Sequence, residues 1–302
     1  MKRNLARVIL TLAGIIWGLG FIGNKYLIDN NWTEAQLLFV RFGTATLLIF
    51  IVYIKRILRT NLQVIKKGLS LGILLYLGFF FQTWGLAHTT ASNNALITAG
   101  YIVVLPVIIF IMEKKGVHYK TVIAGFVTLM GIGFISLDFS DLSVAFCDVL
   151  TFIGSIFYGA HIYFLGKQTK KVDLFVLMAF QLLIFSVVAF VVMITKDGMP
   201  PVNFANAESM KYFLLAVVIG FFASFLAFLF QSIGQKHTNE AEAAILISTE
   251  SLFGPIFAIL FYGDEFNLFI LFGMILVFSG IILSEIDLEV FRKKQRSISK
   301  KS

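Results

Sequence analysis

The sequence predicts an all-α integral membrane protein in which ten transmembrane helices form two inverted five-helix repeats. Three observations predict this fold: the apolar composition, the length of the apolar runs, and an internal repeat that contains an odd number of runs. Of the 302 residues, 58% are hydrophobic and only 14% are charged, whereas soluble domains are about 25% charged. We therefore expect most of the apolar surface to face lipid.

Ten apolar runs, numbered here as spans 1 to 10, fill almost the whole chain. They cover residues 5–25, 35–54, 68–87, 93–112, 119–137, 147–165, 174–194, 211–230, 241–262 and 267–285. Each run is long enough to cross a hydrocarbon core of about 30 Å as a helix. Barrel strands are shorter and alternate in polarity, so the runs predict helices. We expect span 1 to be an uncleaved helix, because no small-residue cleavage site follows it.

The net charge of +8 is explained by topology. All lysines and arginines except Lys25, Arg41, Lys196 and Lys211 lie in the N-terminal segment, in the C-terminal tail or in loops that follow even-numbered spans. Cytoplasmic loops of membrane proteins carry such an excess of basic residues. The pattern predicts a multi-pass protein of the cytoplasmic membrane with both termini in the cytoplasm, and it gives no indication of a nucleic-acid partner.

The chain repeats itself at an offset of 149 residues. Without gaps, residues 81–106 align with residues 230–255, which pairs Gln82 with Gln231, Gly85 with Gly234, His88 with His237 and Pro106 with Pro255. Trp17-Gly18 similarly matches Tyr158-Gly159. We expect one repeat over residues 1–138, a second over 147–285, and a basic cytoplasmic tail over 286–302. Because five spans is an odd number, the second copy enters the membrane from the opposite side, as in many secondary transporters.

Several motifs resemble the EamA-type transporters of the drug/metabolite transporter superfamily over nearly the whole chain. The matching residues are Trp17-Gly18, Lys25 and Arg41-Phe42; Thr89 to Ala95 with Thr98, Tyr101 and Pro106; and Gln231, Gly234 to Lys236, Ala241, Ala243-Ala244 and Ser248 to Glu250. Glu113 and Glu265 lie near the acidic positions of the family. One departure is Ser251, where the family often has proline, which leaves the position of the bend in span 9 open.

The resemblance implies a transporter, but it does not name a substrate. The family includes exporters of amino acids, other metabolites and drugs, and also some importers. A small-molecule substrate and the lipid bilayer are therefore the expected partners, in a chain that is a monomer or a homodimer.

Two ionisable residues inside spans are the sharpest candidates for chemistry. Glu250 lies in span 9, where a carboxylate is costly unless it is neutralised or faces water. It could exchange a proton, receive the amino group of a substrate, or form a bond to a neighbouring helix. Arg41 lies in span 2 and could hold a substrate carboxylate, pair with a helix terminus or snorkel outward. Lys25 is expected to be an interfacial anchor.

Uncharged polar and aromatic residues complete the expected cavity. Gln82 and Gln231 occupy equivalent positions on spans 3 and 8, where an amide should not face lipid; they either bond helices together or line the cavity. The other expected cavity residues are Trp17, Trp84, Asn94, Tyr101 and Tyr158. Pro106 and Pro255 are expected to break spans 4 and 9 at corresponding points, which is the best sequence indication of a transport site.

The leading prediction is a secondary transporter of a small polar metabolite, amino acid-like or a drug, that works by alternating access. Export is favoured, and coupling to protons through Glu250 is an option. The alternatives are an uncoupled facilitator or importer and, less favoured, an intramembrane enzyme. The chain lacks a Walker-type phosphate loop, a His-Glu-x-x-His motif and a CxxC pair, and its four histidines have no metal-ligand spacing. We therefore expect no enzymatic activity, no cofactor and no metal site.

Overall fold

The computed structural model describes residues 3–114, 119–138, 143–203 and 205–285; the basic tail predicted over 286–302 lies outside these ranges. The helices are α1 (Arg3–Asp29), α2 (Glu34–Ile57), α3 (Leu62–Ala87), α4 (Ala91–Thr98), α5 (Tyr101–Glu113), α6 (Tyr119–Ser136), α7 (Phe146–Thr169), α8 (Leu174–Val192), α9 (Ala207–Ile219), α10 (Ala227–His237), α11 (Glu240–Ile247), α12 (Glu250–Phe257) and α13 (Leu268–Glu285). Short π-helical segments lie at Met193–Asp197, Gly220–Leu226 and Ala258–Tyr262. Leu137–Asp138 pairs antiparallel with Ser143–Val144.

The ten spans are present as predicted. Spans 4, 8 and 9 are composite: α4 and α5 form span 4, α9 and α10 with the π segment between them form span 8, and α11, α12 and the last π segment form span 9. Among the described residues, eight spans are at least 18 residues long and apolar enough to cross a membrane, and spans 5 and 10 contain the shorter apolar helical stretches Ile123–Phe134 and Leu268–Leu283. The fold is all-α, with two inverted five-helix repeats.

Polar caps set where the spans begin. Asn239 begins α11 by accepting a hydrogen bond from the backbone N–H of Glu242 at 2.7 Å, and Thr90 begins α4 in the same way by accepting from Asn93 N–H at 3.1 Å. These two caps are 149 residues apart and so hold equivalent positions in the two repeats. A side-chain oxygen at this position satisfies one of the helix N–H groups that lack an intrahelical partner.

Packing between the two repeats follows one symmetric scheme. Span 2 packs on span 7, span 4 on span 9, and span 5 on span 10. Span 3 packs on spans 6 and 7, and correspondingly span 8 packs on spans 1 and 2. Each contact is therefore matched by its counterpart with the repeats exchanged, as a pseudo-two-fold axis in the membrane plane requires.

Small residues allow the closest of these helix approaches. A Cβ on Gly85 of α3 would lie 2.2 Å from Thr151 Oγ1 and 2.6 Å from the Cys147 carbonyl oxygen, both on α7. At the equivalent Gly234 of α10, a Cβ would lie 2.4 Å from Leu10 Cγ on α1. Glycine at both positions lets the paired spans pack backbone to side chain, an arrangement common between membrane helices.

Spans 4 and 9 are broken at corresponding points, but the breaks precede the prolines. The helical pattern is interrupted at Ala99-Gly100 in span 4 and at Ser248-Thr249 in span 9, whereas Pro106 lies inside α5 and Pro255 inside α12. Around each break the backbone makes tighter i→i−3 bonds, such as Gly100 N–H to Ile97 O at 2.9 Å and Ser251 N–H to Ser248 O at 2.9 Å. The structure therefore places the interruptions about two helical turns before the positions that the sequence suggested.

Candidate functional site

A cavity lies at the centre of the bundle, between the two repeats. The space not occupied by protein atoms between its lining residues is about 520 Å³, a volume that includes the part open to solvent. The residues that line it are Trp17, Gly20, Phe21, Asn24, Arg41, Leu75, Phe79, Gln82, Thr98, Tyr101, Tyr158, His161, Ile162, Phe228, Gln231, Ile247 and Glu250. They come from spans 1, 2, 3 and 4 of the first repeat and from spans 6, 8 and 9 of the second.

Arg41 is buried at the cavity and does not snorkel outward. Its side chain is 1% exposed, and its Nη1 donates to Asn24 Oδ1 at 2.9 Å. The guanidinium lies 5.5 Å from the ring centre of Phe42 and 5.3 Å from that of Phe79. No carboxylate among the described residues lies within ion-pair distance of Arg41, and its Nε has no partner there. The positive charge of Arg41 therefore lies at the cavity without a carboxylate partner from the described part of the protein.

Glu250 faces the same cavity from the second repeat. It is the first residue of α12, directly after the break in span 9, and it is 5% exposed. Within the described part of the chain, no lysine, arginine or histidine nitrogen lies within 4.0 Å of its carboxylate. Because a carboxylate in hydrocarbon needs a partner or water, the cavity is the environment that accommodates it.

The two glutamines have different surroundings despite their equivalent positions. Gln82 Nε2 donates to Thr98 Oγ1 at 2.9 Å, and Gln82 Oε1 accepts from Tyr158 Oη at 2.8 Å. In contrast, Gln231 Oε1 is buried and finds no partner among the residues that the structure describes. Gln82 therefore holds Tyr158 in place across the two repeats, while Gln231 presents an unsatisfied acceptor beside the cavity.

Aromatic rings form the apolar wall. Trp17 donates its Nε1–H to the Ala223 carbonyl oxygen at 2.8 Å, and its ring lies 5.0 Å from that of Phe228. Phe79 packs edge-on against Tyr158 at 5.3 Å. Bonded or packed in this way, the rings are fixed in orientation and can contact an apolar part of a solute.

His161 is a cavity residue that the sequence analysis did not identify. It is 1% exposed and pairs with Gln181 of span 7, with 3.1 Å between Nε2 and Oε1. This polar pair joins spans 6 and 7 as Asn24 and Arg41 join spans 1 and 2. At the offset that matches Trp17 with Tyr158, His161 corresponds to Gly20, so alignment of identical residues did not reveal it.

Two of the expected cavity residues lie elsewhere. Trp84 is not among the lining residues; its ring packs near Phe80 and Phe146. Asn94 is fully buried behind the cavity wall, where its Nδ2 donates to the Gln82 carbonyl oxygen at 3.1 Å and to Thr151 Oγ1 at 2.7 Å. Asn94 therefore supports Gln82 from behind the cavity wall.

Lys25, which was expected to be an interfacial anchor, pairs with Asp29 on its own helix, with 3.0 Å between Nζ and Oδ1.

Known proteins with a similar sequence or structure identify the family to which this architecture belongs. A model of the EamA-like transporter family matches residues 5–137 and 145–286. A protein of Archaeoglobus fulgidus described as an uncharacterized transporter is 27% identical over 284 residues, which are 94% of this chain and 86% of that protein. A protein of known crystal structure superposes with a TM-score of 0.68 at 14% identity, over 94% of this chain and 98% of that one; this likeness supports the fold alone.

The family match covers nearly all ten spans, and it falls in two segments that correspond to the two halves of the bundle. The chain therefore belongs to the EamA-like transporter family and is a membrane transporter.

Proposed function

We propose that this transporter carries a small zwitterionic metabolite, an amino acid or a closely related compound, across the cytoplasmic membrane by alternating access. The observation that carries the proposal is the presence of Arg41 and Glu250 in one cavity, without an ion-pair partner for either among the described residues. A guanidinium matches a carboxylate, and a carboxylate matches an ammonium group. A zwitterion supplies both charges at once.

The aromatic wall favours an apolar substituent on this zwitterion. The same cavity is lined by Trp17, Phe79, Tyr158 and Phe228 as well as by the two charged groups, and aromatic rings give large contact areas at fixed geometry. An ammonium group placed near the Tyr158 ring gains a further attraction from its π-face. We therefore expect neutral amino acids with apolar side chains to bind better than small polar ones.

The inverted repeats provide the proposed mechanism of movement. The cavity takes residues from both halves, and the breaks in spans 4 and 9 lie at its edge, where Thr98 and Ile247 line it. Rocking of one half against the other about this site would expose it to each side in turn. The basic loops favour an orientation with both termini in the cytoplasm. The proposed direction is export, because the family that the chain resembles includes many exporters of amino acids and drugs.

Proton coupling through Glu250 is the second part of the proposal. Glu250 would pair with the substrate's ammonium group when substrate is bound and would bind a proton when substrate has left. In neither state would its carboxylate be charged and unpaired within the bundle. Transport would then depend on a proton gradient as well as on the substrate gradient.

Three compounds of the same shape separate this proposal from other substrates. Purified protein in proteoliposomes is given L-phenylalanine, phenethylamine, which lacks the carboxylate, or 3-phenylpropionate, which lacks the ammonium group. We expect flux of the zwitterion alone. Arg41→Gln and Glu250→Gln should each abolish it, whereas Glu208→Gln, at an exposed glutamate on α9, should not. Equal flux of all three compounds, or full flux in both cavity variants, would contradict the proposed substrate class.

A further inference from the structure

A second set of charged residues lies away from the cavity, at the face of the bundle where α1 begins, called here the N-terminal face. Arg3 and Arg7 of α1 both bind Glu242 of α11, with Arg3 Nη2 2.6 Å from Glu242 Oε2 and Arg7 Nε 2.5 Å from Glu242 Oε1. Nearby, Lys167 of α7 lies 2.6 Å from Glu113 of α5. These four helices belong to spans 1, 4, 6 and 9, which all line the cavity.

The set is continuous across the gap between the repeats. Glu240 Oε1 accepts from Lys170 Nζ at 3.0 Å, and Glu240 Oε2 lies 3.6 Å from Lys167 Nζ, so Lys167 joins Glu240 to Glu113. The Arg3 and Arg7 pairs with Glu242, and the Lys167 pair with Glu113, each join one repeat to the other. Separation of the two halves at this face would break every one of these contacts between repeats.

An apolar layer separates these ion pairs from the cavity. Ile162 and Ile247 line the cavity, and they pack in one cluster with Leu10, Tyr163 and Ala243, which are 0 to 6% exposed. Ala243 directly follows Glu242 in sequence, and the Lys167 ammonium lies 5.3 Å from the Tyr163 ring centre. The path from the cavity to this face is therefore filled first by side chains and then by ion pairs.

The two glutamates of span 9 are replaced by uncharged residues at the equivalent positions of the first repeat. At the offset of 149 residues, Glu240 and Glu242 correspond to Ala91 and Asn93 of α4. At the opposite face, two links between the repeats are hydrogen bonds to carboxylates: Ser92 Oγ donates to Asp264 Oδ2 at 2.7 Å, and Tyr262 Oη donates to Asp29. The two repeats thus share one backbone plan but are joined by different chemistry at the two faces.

We propose that the ion pairs of Glu242 with Arg3 and Arg7, and of Glu113 with Lys167, form the gate that closes the cavity at the N-terminal face, while Glu240 holds Lys167 from within the second repeat. The proposal rests on the proposed alternating access. The Glu242 and Glu113 side chains are 5% and 19% exposed, while the Arg3 and Arg7 side chains are 60% and 46% exposed. Cations that already reach water can be fully hydrated when the halves separate. The carboxylates become hydrated at the same moment, so opening leaves no charge buried without a partner.

Opening of this gate can be measured without a substrate, so the result does not depend on whether the proposed substrate is correct. The probe is a cysteine at Leu10, in a Cys147→Ser background, labelled with a charged maleimide in lipid nanodiscs. We expect slow labelling with the gate intact and labelling at least about ten-fold faster in Glu242→Gln, because the lost ion pairs shift the equilibrium toward the open form. A cysteine at Leu182, buried in span 7 far from the gate, should remain unlabelled in both proteins.

Glu208→Gln, at the opposite face, serves as the matched control and should leave the Leu10 cysteine rate unchanged. If Glu242→Gln does not fold, Arg7→Gln removes one cation and leaves Glu242 paired with Arg3; it should speed labelling by about three-fold, since less than the full interaction is lost. The gate is contradicted if the Leu10 cysteine reacts equally in the parent and in the folded variants, or if the Leu182 cysteine becomes reactive along with it.

Discussion

Tyr101 and Glu250 occupy equivalent positions in the two repeats, 149 residues apart, and both line the cavity. Each is the first helical residue after the break in its span, at the start of α5 and of α12. The equivalent breaks in spans 4 and 9 therefore place the phenol group of Tyr101 from one repeat and the carboxylate of Glu250 from the other at the cavity. This difference at one symmetric position is what gives the proposed transport site its polarity.

Replacement of Glu250 tests the proton-coupling role. In Glu250→Gln, the side chain keeps its size and its ability to hydrogen bond but cannot exchange a proton. We expect pH-driven flux in proteoliposomes to be abolished while expression and folding stay intact. Glu208→Gln should retain both flux and pH dependence. Unchanged pH-driven flux in Glu250→Gln would remove this carboxylate from the mechanism.

The bond between Asn24 and Arg41 gives a second test. Asn24→Asp would place a carboxylate against Arg41 Nη1, where the amide oxygen now lies at 2.9 Å. The new ion pair would compete with the substrate's carboxylate, and we expect an affinity loss of about ten-fold or more, equivalent to at least about 1.4 kcal/mol. Isothermal titration with L-phenylalanine measures it. Equal affinity in both proteins would show that Arg41 does not bind the substrate.

The two cavity tyrosines should differ in their effect on stability. Tyr158→Phe removes the hydroxyl that donates to Gln82 at 2.8 Å and should lower the free energy of unfolding by about 1–2 kcal/mol, because a buried acceptor loses its partner. Tyr101→Phe should have a smaller effect, because the Tyr101 hydroxyl makes no well-aligned hydrogen bond within the described residues and interacts only loosely with the Glu250 carboxylate. Thermal unfolding in detergent compares the two. A greater loss in Tyr101→Phe would contradict this assignment.

Close helix packing predicts a contrast between two glycines. In Gly85→Ala the new methyl group would meet Thr151 Oγ1 at 2.2 Å, whereas nothing lies within 4 Å of a Cβ at Gly133. We expect Gly85→Ala to destabilise the protein by about 1–3 kcal/mol through overpacking. Gly133→Ala should be neutral or stabilising by up to about 1 kcal/mol, since alanine favours a helix. Equal melting temperatures for the two variants would argue against the close contact between spans 3 and 6.

The fold could be predicted from the sequence because span length and charge pattern follow directly from the thickness and electrostatics of the bilayer. The equivalence of Gln82 and Gln231 located two walls of the cavity, because identical residues at a fixed offset can be recognised from the sequence alone. The resemblance to the EamA-type family is confirmed by the family match.

The site could be predicted only in part, because side-chain direction depends on packing. Trp84 and Tyr158 were both expected to line the cavity, but of the two only Tyr158 does so. His161 was invisible because its repeat partner is not a histidine. The prolines suggested breaks at Pro106 and Pro255, yet the interruptions lie at Ala99-Gly100 and Ser248-Thr249, where the backbone shifts to i→i−3 bonds.

The most direct test of the central claim is the distance between the two repeats at each face, measured by pulsed electron paramagnetic resonance in nanodiscs. Spin labels at Arg59 and Lys236 report on the N-terminal face, and labels at His88 and Glu265 report on the opposite face. On addition of L-phenylalanine or a change of pH, alternating access predicts that one distance lengthens while the other shortens. Distances that stay constant, or that change in the same direction at both faces, would contradict it.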